Sequence, residues 1–243
     1  MLRKRNNVIE PLLLSLKFFL FSIILILIAM ILCELMNRDG TENEIRVRNT
    51  FSAEETVIVI DAGHGGEDGG AVGINGCIEK DINLKIALSL YELLKMSDIP
   101  AVLTRDSDIM LSDNAAVGHK KLQDLKNRLE ISESLDNSLL VSIHMNSYPV
   151  EKYSGAQVYY SKGNEKSKQA AEMIRESFEE LISKDNTRLS KEASSAIYLL
   201  HNATKPSVLV ECGFLSNEAE LQKLKDADYQ RKMAFAIAGG IVG

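Results

Sequence analysis

The sequence predicts a single α/β domain with a largely parallel, twisted sheet of six strands, flanked by about five helices and preceded by an N-terminal transmembrane helix. From residue 56 onward, short β-branched apolar runs alternate with longer segments of helical periodicity. Most of these runs are continuous rather than alternating, which is typical of parallel strands buried on both faces. With 243 residues, 45% of them hydrophobic, the chain can form one sizeable core but not two large domains.

The first 35 residues predict a membrane anchor. Residues 1–11 contain the basic cluster Arg3 to Arg5, and a largely apolar run follows over residues 12–35. A helix needs roughly 17–25 residues to cross a bilayer, and a basic start stays on the cytoplasmic side. A cleaved signal peptide is the alternative, but its apolar region is shorter and ends at a small-residue site. We therefore expect an uncleaved signal-anchor with the rest of the chain outside the cytoplasm.

A polar segment, residues 36–55, connects this anchor to the domain of residues 56–243. It is rich in charged residues and has no apolar period, so it predicts a flexible linker. Residues 1–35 hold four of the 28 basic and two of the 34 acidic side chains, so the remainder of the chain has an excess of negative charge. This excess disfavours nucleic acid as a partner because binding to nucleic acid depends on neutralising phosphates.

The first half of the domain alternates strand and helix patterns. Val57–Ile60 is a continuous apolar run, and Ile82, Ile86 and Leu90 recur on one face of the helix that follows. In chain order, the expected elements are a strand at 57–60, a helix at about 80–96, a strand at 101–104, a helix over 122–131 and a strand at 139–143.

The second half begins with an alternating pattern typical of a half-exposed strand. Pro206 fits only at the start of a strand, and Asn217 precedes a helix with Glu220 three residues later, which is a capping pattern. The expected elements are strands at 156–160, 196–200 and 208–210, and helices at 170–181, from 217 and at about 228–238.

Three chemically active side chains each follow a continuous apolar run. They are His64, His144 and Glu211. Because the carboxyl ends of parallel strands meet at one edge of a sheet, these side chains are expected to lie close together. Glu79, between the two histidines in sequence, adds a second carboxylate at the start of a predicted helix.

Two histidines with carboxylates are the residue types of an open, catalytic zinc site. Three protein ligands leave a position for water, whose pKa zinc lowers to roughly 7. A carboxylate outside the metal's ligands can then take a proton from water and return it to a leaving amine. Glu211, at the end of a predicted strand, is placed for that role, so hydrolysis is the leading hypothesis.

Two alternatives concern the residues around this site. Seven glycines between Gly63 and Gly76 allow backbone to approach a ligand closely, as in a phosphate-binding loop. The Gly-Lys-Ser/Thr sequence of such loops is absent, however, so a nucleotide site is disfavoured. Cys77 and Cys212 flank the two acidic residues, which leaves a thiol ligand or a disulfide as alternatives to two small apolar side chains, the favoured interpretation.

Four segments carry a family resemblance. They are Val59–Gly66, Ile78–Asp81, Ser142–Ser147 and Val210–Asn217. In this order and spacing they resemble the zinc-dependent N-acetylmuramoyl-L-alanine amidases over about residues 56–242. The resemblance implies Zn²⁺ as cofactor, His64, Glu79 and His144 as zinc ligands, and Glu211 as the catalytic base.

The resemblance also implies a reaction and a location. Water attacks the amide between the lactyl group of N-acetylmuramic acid and L-alanine in peptidoglycan, which frees the stem peptide. Ser154–Gln157, Asp124–Arg128 and Asn202–Pro206 are most similar to the germination-specific, spore-cortex branch. That branch implies cooperation with a peptidoglycan deacetylase to form muramic δ-lactam, and a place in the cell wall or the intermembrane space of the developing spore.

The segment after the second predicted strand bears on regulation and on contacts with the substrate. The segment Arg105–His119 is too short for the plugging helix of some family members, so control is expected from an activating partner protein or from metal loading. Arg105 and Asn146, close to the predicted sheet edge, are predicted to contact a carboxylate or carbonyl of the substrate. His119 and His201 are expected to be surface or local hydrogen-bonding residues. The alternative functions are another zinc-dependent wall hydrolase, an N-deacetylase or a peptidase, and a catalytically inactive wall-binding protein.

Overall fold

The computed structural model describes residues 56–112 and 119–242, together with Lys17 and Met30. Every element below belongs to the second of two compact units, Thr50–Gly243.

The expected anchor over residues 12–35 and the linker over residues 36–55 fall almost wholly outside the described residues. Among the positions that the structure does describe, no helix is both long enough and apolar enough to cross a membrane. The anchor is therefore a prediction from sequence.

A six-stranded sheet forms the centre of the domain, in the order β2-β1-β3-β6-β4-β5. Its strands are β1 Val57–Ala62, β2 Ala101–Leu103, β3 Ser138–Asn146, β4 Gln157–Tyr160, β5 Lys191–Glu192 and β6 Ser207–Phe214. Four pairings are parallel, but β4 runs antiparallel to β6, so the sheet is mixed. The segment between β3 and β4, residues 147–156, contains no helix to return the chain to the opposite edge. β4 therefore starts at the edge where β3 ends.

Six α-helices surround the sheet in the described part of the chain, one more than expected. They are α1 Glu79–Met96, α2 Lys120–Glu133, α3 Glu165–Leu181, α4 Tyr198–Asn202, α5 Glu218–Lys225 and α6 Ala227–Val242. The strand expected at 196–200 is wrong because those residues lead into α4, and Lys191–Glu192 supplies the remaining strand. A short apolar run is compatible with a buried helix as well as with a buried strand. Here Leu199 and Leu200 belong to a helix and their side chains are buried.

Apolar side chains fill both faces of the sheet. Successive residues of a strand point to opposite faces, so Ile58 and Ile60 join the larger cluster and Val59 joins the smaller one. The larger cluster includes side chains of α1, α3 and α6, such as Leu90 and Phe178. The smaller one includes side chains of α2 and α4. The result is a three-layer α/β domain with one core on each face of the sheet.

The strand register places the predicted site at one edge. β1 and β3 pair from Val57 and Ser138 to Ala62 and Ile143, so the loop after β1 begins beside the last residues of β3, which continues to Asn146. His144 lies opposite Glu211 in the pairing of β3 with β6. The three strands thus bring their carboxyl ends to the same place.

Candidate metal and catalytic site

Asp61 anchors the carboxyl end of β1 inside the domain. Thr104 and Arg128 donate hydrogen bonds to Oδ1, each at 2.7 Å, and Ser142 donates to Oδ2 at 2.6 Å. Burial opposes ionisation of this carboxyl, but the charge of Arg128 and these hydrogen bonds outweigh it and lower the pKa to about 2. Asp61 is therefore a charged internal anchor for the loop that carries His64.

The loop after β1 depends on glycine at two close approaches. A Cβ atom at Gly63 would lie 2.3 Å from His144 Nε2, and one at Gly70 would lie 2.6 Å from Glu79 Oε2. Gly70 also has a positive φ of 71°, which disfavours other residues. The glycines therefore let the loop close tightly around these side chains.

Glu79, the first residue of α1, lies between the two histidines. Its Oε1 is 3.2 Å from His64 Nε2 and 2.9 Å from His144 Nδ1. Burial opposes its ionisation, but hydrogen bonds to His144 and His64 and their charges outweigh burial, so the pKa of Glu79 lies well below its usual range. Further donors to its two oxygens are the Met145 N–H at 3.1 Å, the Asn83 amide at 3.3 Å and the Ala71 N–H at 2.8 Å.

His64, Glu79 and His144 form a cluster that could hold a metal ion. One ligand atom of each lies within 4.8 Å of the others, and the two imidazole rings are 4.9 Å apart between centroids. Two histidines and one carboxylate are a donor set of catalytic zinc sites. A negative charge on Glu79 and its place between two ring nitrogens fit a divalent cation. The residues present therefore fit zinc.

Asp68 supports this cluster and was not predicted as part of the site. Its Oδ2 lies 2.9 Å from His64 Nδ1. A carboxylate behind a metal-binding imidazole typically fixes the orientation of the ring. In the sequence Asp68 was one acidic residue of a glycine-rich loop, and only the folded turn brings its side chain against His64.

Glu211 lies on β6 in a different environment. The side chain is largely buried, and Oε2 has no hydrogen-bond partner among the described residues. Burial raises its pKa to about 7, and the negative charge of Glu79 adds to this, whereas His144 and His64 act in the opposite direction. A carboxyl group that titrates near neutrality can accept a proton and return it.

Arg105 and Asn146 occupy different positions. Arg105 is only 2% exposed, and its guanidinium donates to the backbone carbonyls of Ala62, Gly63, Lys80 and Ser107. These contacts favour a role in holding the loop. Asn146 ends β3 and is half-buried. Contact of either residue with the substrate stays a prediction.

The two described cysteines are free thiols. Cys212 is buried beside Glu211, and Cys77 is half-buried before Glu79. Neither belongs to the metal-competent cluster of the described residues. The two remaining histidines, His119 and His201, are exposed, as expected.

Comparisons with known proteins identify the family of this chain. The family model described as N-acetylmuramoyl-L-alanine amidase matches residues 58–242. A germination-specific N-acetylmuramoyl-L-alanine amidase of Bacillus subtilis is 36% identical over 188 residues, which are 76% of this chain and 78% of the relative.

Two solved structures share the fold. The CwlD amidase from Clostridioides difficile, in complex with the GerS lipoprotein, is 43% identical with a TM-score of 0.73, over 77% of this chain and 96% of that one. The catalytic domain of CwlV from Bacillus (Paenibacillus) polymyxa var. colistinus is 35% identical with a TM-score of 0.65, over 76% of this chain and 96% of that one. The chain belongs to the N-acetylmuramoyl-L-alanine amidase family.

Proposed function

We propose that this amidase is a zinc hydrolase that cleaves the bond between the lactyl group of N-acetylmuramic acid and L-alanine in spore-cortex peptidoglycan. One observation carries the zinc mechanism. A cluster of His64, Glu79 and His144 lies at the same sheet edge as Glu211, whose buried Oε2 has no hydrogen-bond partner among the described residues.

His64, Glu79 and His144 would hold the metal. When bound, zinc supplies Lewis-acid polarisation of the scissile carbonyl and makes water more acidic. Glu79 keeps its negative charge because its oxygens receive several donors. Asp68 orients the His64 imidazole from behind.

Glu211 moves the proton. Its carboxylate accepts a proton from the attacking water as the water oxygen bonds to the carbonyl carbon. The same carboxyl then donates that proton to the amide nitrogen as the carbon–nitrogen bond breaks. The products are a lactyl carboxylate on the glycan and the free amine of L-alanine. In the metal-free protein burial raises the pKa of Glu211 to about 7, and this burial favours return of the proton to the leaving amine.

The cellular role is part of the proposal. A germination-specific relative and the CwlD neighbour support action in the spore cortex, where the product would go on to muramic δ-lactam with a deacetylase. The lipoprotein bound to CwlD supports an activating partner for this chain. The apolar run over residues 12–35 would anchor the enzyme, with its domain outside the cytoplasm.

The test is mass spectrometry of cortex peptidoglycan digested by the zinc-loaded full chain. The proposal predicts intact stem peptides and new lactyl carboxylates, and no products when zinc is chelated. Loss of acetyl groups would indicate an N-deacetylase, and cleavage between amino acids a peptidase, and either result would overturn the proposal. Glu211→Gln is the matched control because it keeps the shape of the side chain and cannot accept the proton.

A further inference from the structure

Three successive backbone carbonyls around His64 face two buried arginines. The carbonyl of Ala62 accepts hydrogen bonds from both, that of Gly63 from Arg105 and that of His64 from Arg128. The two guanidinium groups come from the segment after β2 and from α2. The loop that carries His64 is therefore held from two sides by charged donors.

Arg105 joins the backbone beside two of the residues that would hold zinc. Its Nη2 donates to the carbonyl of Gly63 and to the carbonyl of Lys80, each at 3.0 Å. Gly63 immediately precedes His64, and Lys80 immediately follows Glu79. One guanidinium nitrogen thus links the backbone segments that supply these two side chains.

The remaining contacts of Arg105 also go to backbone. Nε donates to the carbonyl of Ala62 at 2.8 Å, and Nη1 donates to the carbonyl of Ser107 at 3.0 Å. A buried guanidinium is costly unless its donors are satisfied. Four of the five N–H groups of Arg105 donate to these backbone carbonyls. The side chain is therefore fixed in its position by the backbone around it.

Arg128 holds the opposite side of the loop. Its Nη2 donates to the carbonyl of His64 at 2.6 Å, and its charge is balanced by Asp61 and Asp124, each with an atom at 2.7 Å. His64 has a φ of 61°, a left-handed conformation that costs energy for a residue with a side chain. The hydrogen bond to its carbonyl helps to hold that conformation.

We propose that Arg105 is a positioning residue for the metal site, with Arg128 as its counterpart on the other side of the loop. Arg105 sets the separation of His64 and Glu79, so that both side chains are in place before the metal binds. The inference rests on the proposed zinc-dependent function. Removal of a group that orients metal ligands typically weakens metal binding 10–100-fold.

The test measures the zinc affinity of the full chain by competition with a chelator, without a turnover assay. Arg105→Lys keeps the positive charge but replaces the planar fork with a single ammonium group, which does not reproduce the two-carbonyl bridge. We expect it to bind zinc about 10–100-fold more weakly than the parent. Arg105→Gln is a second, neutral variant for which the same loss is expected, and it provides the measurement if Arg105→Lys does not fold.

Leu94→Ala is the matched control for lost stability. Leu94 is a buried residue near the end of α1 that is distant in sequence from Glu79, and its truncation leaves a cavity without touching the His64 loop. It should keep the zinc affinity of the parent. Parental zinc affinity in the Arg105 variants, whatever their melting temperature or KM, would overturn this inference alone. A parent chain that binds no zinc would overturn the proposed function as well.

Discussion

Glu79 and Glu211 lie at the same edge of one sheet, yet their surroundings shift their pKa values in opposite directions. Glu79 receives hydrogen-bond donors on both oxygens, and its pKa is held well below the usual range. Glu211 has one buried oxygen without a donor among the described residues, and burial raises its pKa to about 7. Burial opposes the charge of both carboxyls, so the supply of donors decides which one stays ionised.

The position of each carboxyl in the fold explains that supply. Glu79 begins α1, and its donors include the Ala71 N–H of the loop after β1, the Met145 N–H of β3 and the Asn83 amide of α1 itself. Glu211 lies on β6, which pairs with β3 on one side and β4 on the other, so the backbone N–H groups around it are used by the sheet. Two carboxyls whose pKa values are driven apart suit different tasks. One is fitted to hold a metal and the other to exchange protons.

The largest effect is expected from Glu211→Gln. The variant should lose about 10²–10⁴ of kcat because a general base contributes on that scale, and it should bind zinc like the parent. Release of stem peptides and zinc content measured on the same sample check both statements. Turnover within tenfold of the parent would show that Glu211 is not the general base, and the proposed difference in role between the two carboxyls would be wrong.

Glu79→Gln should produce the complementary result. The change keeps the shape of the side chain but removes the negative charge between two imidazoles, so zinc affinity should fall by more than about 100-fold, beyond the loss typical of groups behind a ligand. Chelator competition measures it. A zinc affinity equal to that of the parent would show that Glu79 is not a ligand.

Much of the candidate site could be predicted from local sequence. His64, His144 and Glu211 each follow an apolar run, and the rule that parallel strands end at one edge was enough to bring them together. Glu79 at the start of α1 was also predicted, since helical periodicity begins directly after it.

Other features depend on contacts that a linear pattern does not contain. Arg105 was predicted to contact the substrate because it lies close to the predicted sheet edge, a prediction that stays untested. Its contacts with the carbonyls of Ala62 and Gly63 were not predicted, since these residues lie more than 40 positions earlier in the chain. Arg128 was noted only as part of a family motif, and its pairing with Asp61 exists only in the folded chain. The antiparallel direction of β4 follows from the segment before it, which contains no helix to carry the chain back to the opposite edge of the sheet.

The stability of the metal-free protein should depend on pH with opposite signs for the two carboxyls. Glu211 has a pKa of about 7 in the fold against an ordinary 4.5, so the folded state loses stability as the pH rises between these values. Glu211→Gln removes this loss and should gain about 2 kcal/mol relative to the parent between pH 4.5 and 8, after allowance for partial exposure.

Chemical denaturation at several pH values measures that gain. Glu79 has a lowered pKa, so its contribution to the free energy of unfolding is present above pH 4.5 and is lost as the pH falls. This contribution is the same in the parent and in the variant. A pH-independent difference between the two proteins would mean that Glu211 titrates normally.

The smallest effect is expected from Cys212→Val. Cys212 is 2% exposed beside Glu211, and an apolar residue of similar volume preserves the surroundings that raise the pKa of Glu211. The cost in free energy of unfolding should stay below about 1.5 kcal/mol, with zinc affinity and turnover unchanged. A loss of zinc affinity would show that the Cys212 thiol belongs to the metal site. The contrast between the two carboxyls would then not describe the site completely.

The most direct test follows the protonation of Glu211 itself. Infrared difference spectra between the metal-free parent and Glu211→Gln isolate the carboxyl band of this residue across a pH titration. We expect the protonated band to disappear with a midpoint near 7. A midpoint near the ordinary glutamate value of 4.5 would contradict the division of roles between Glu211 and Glu79.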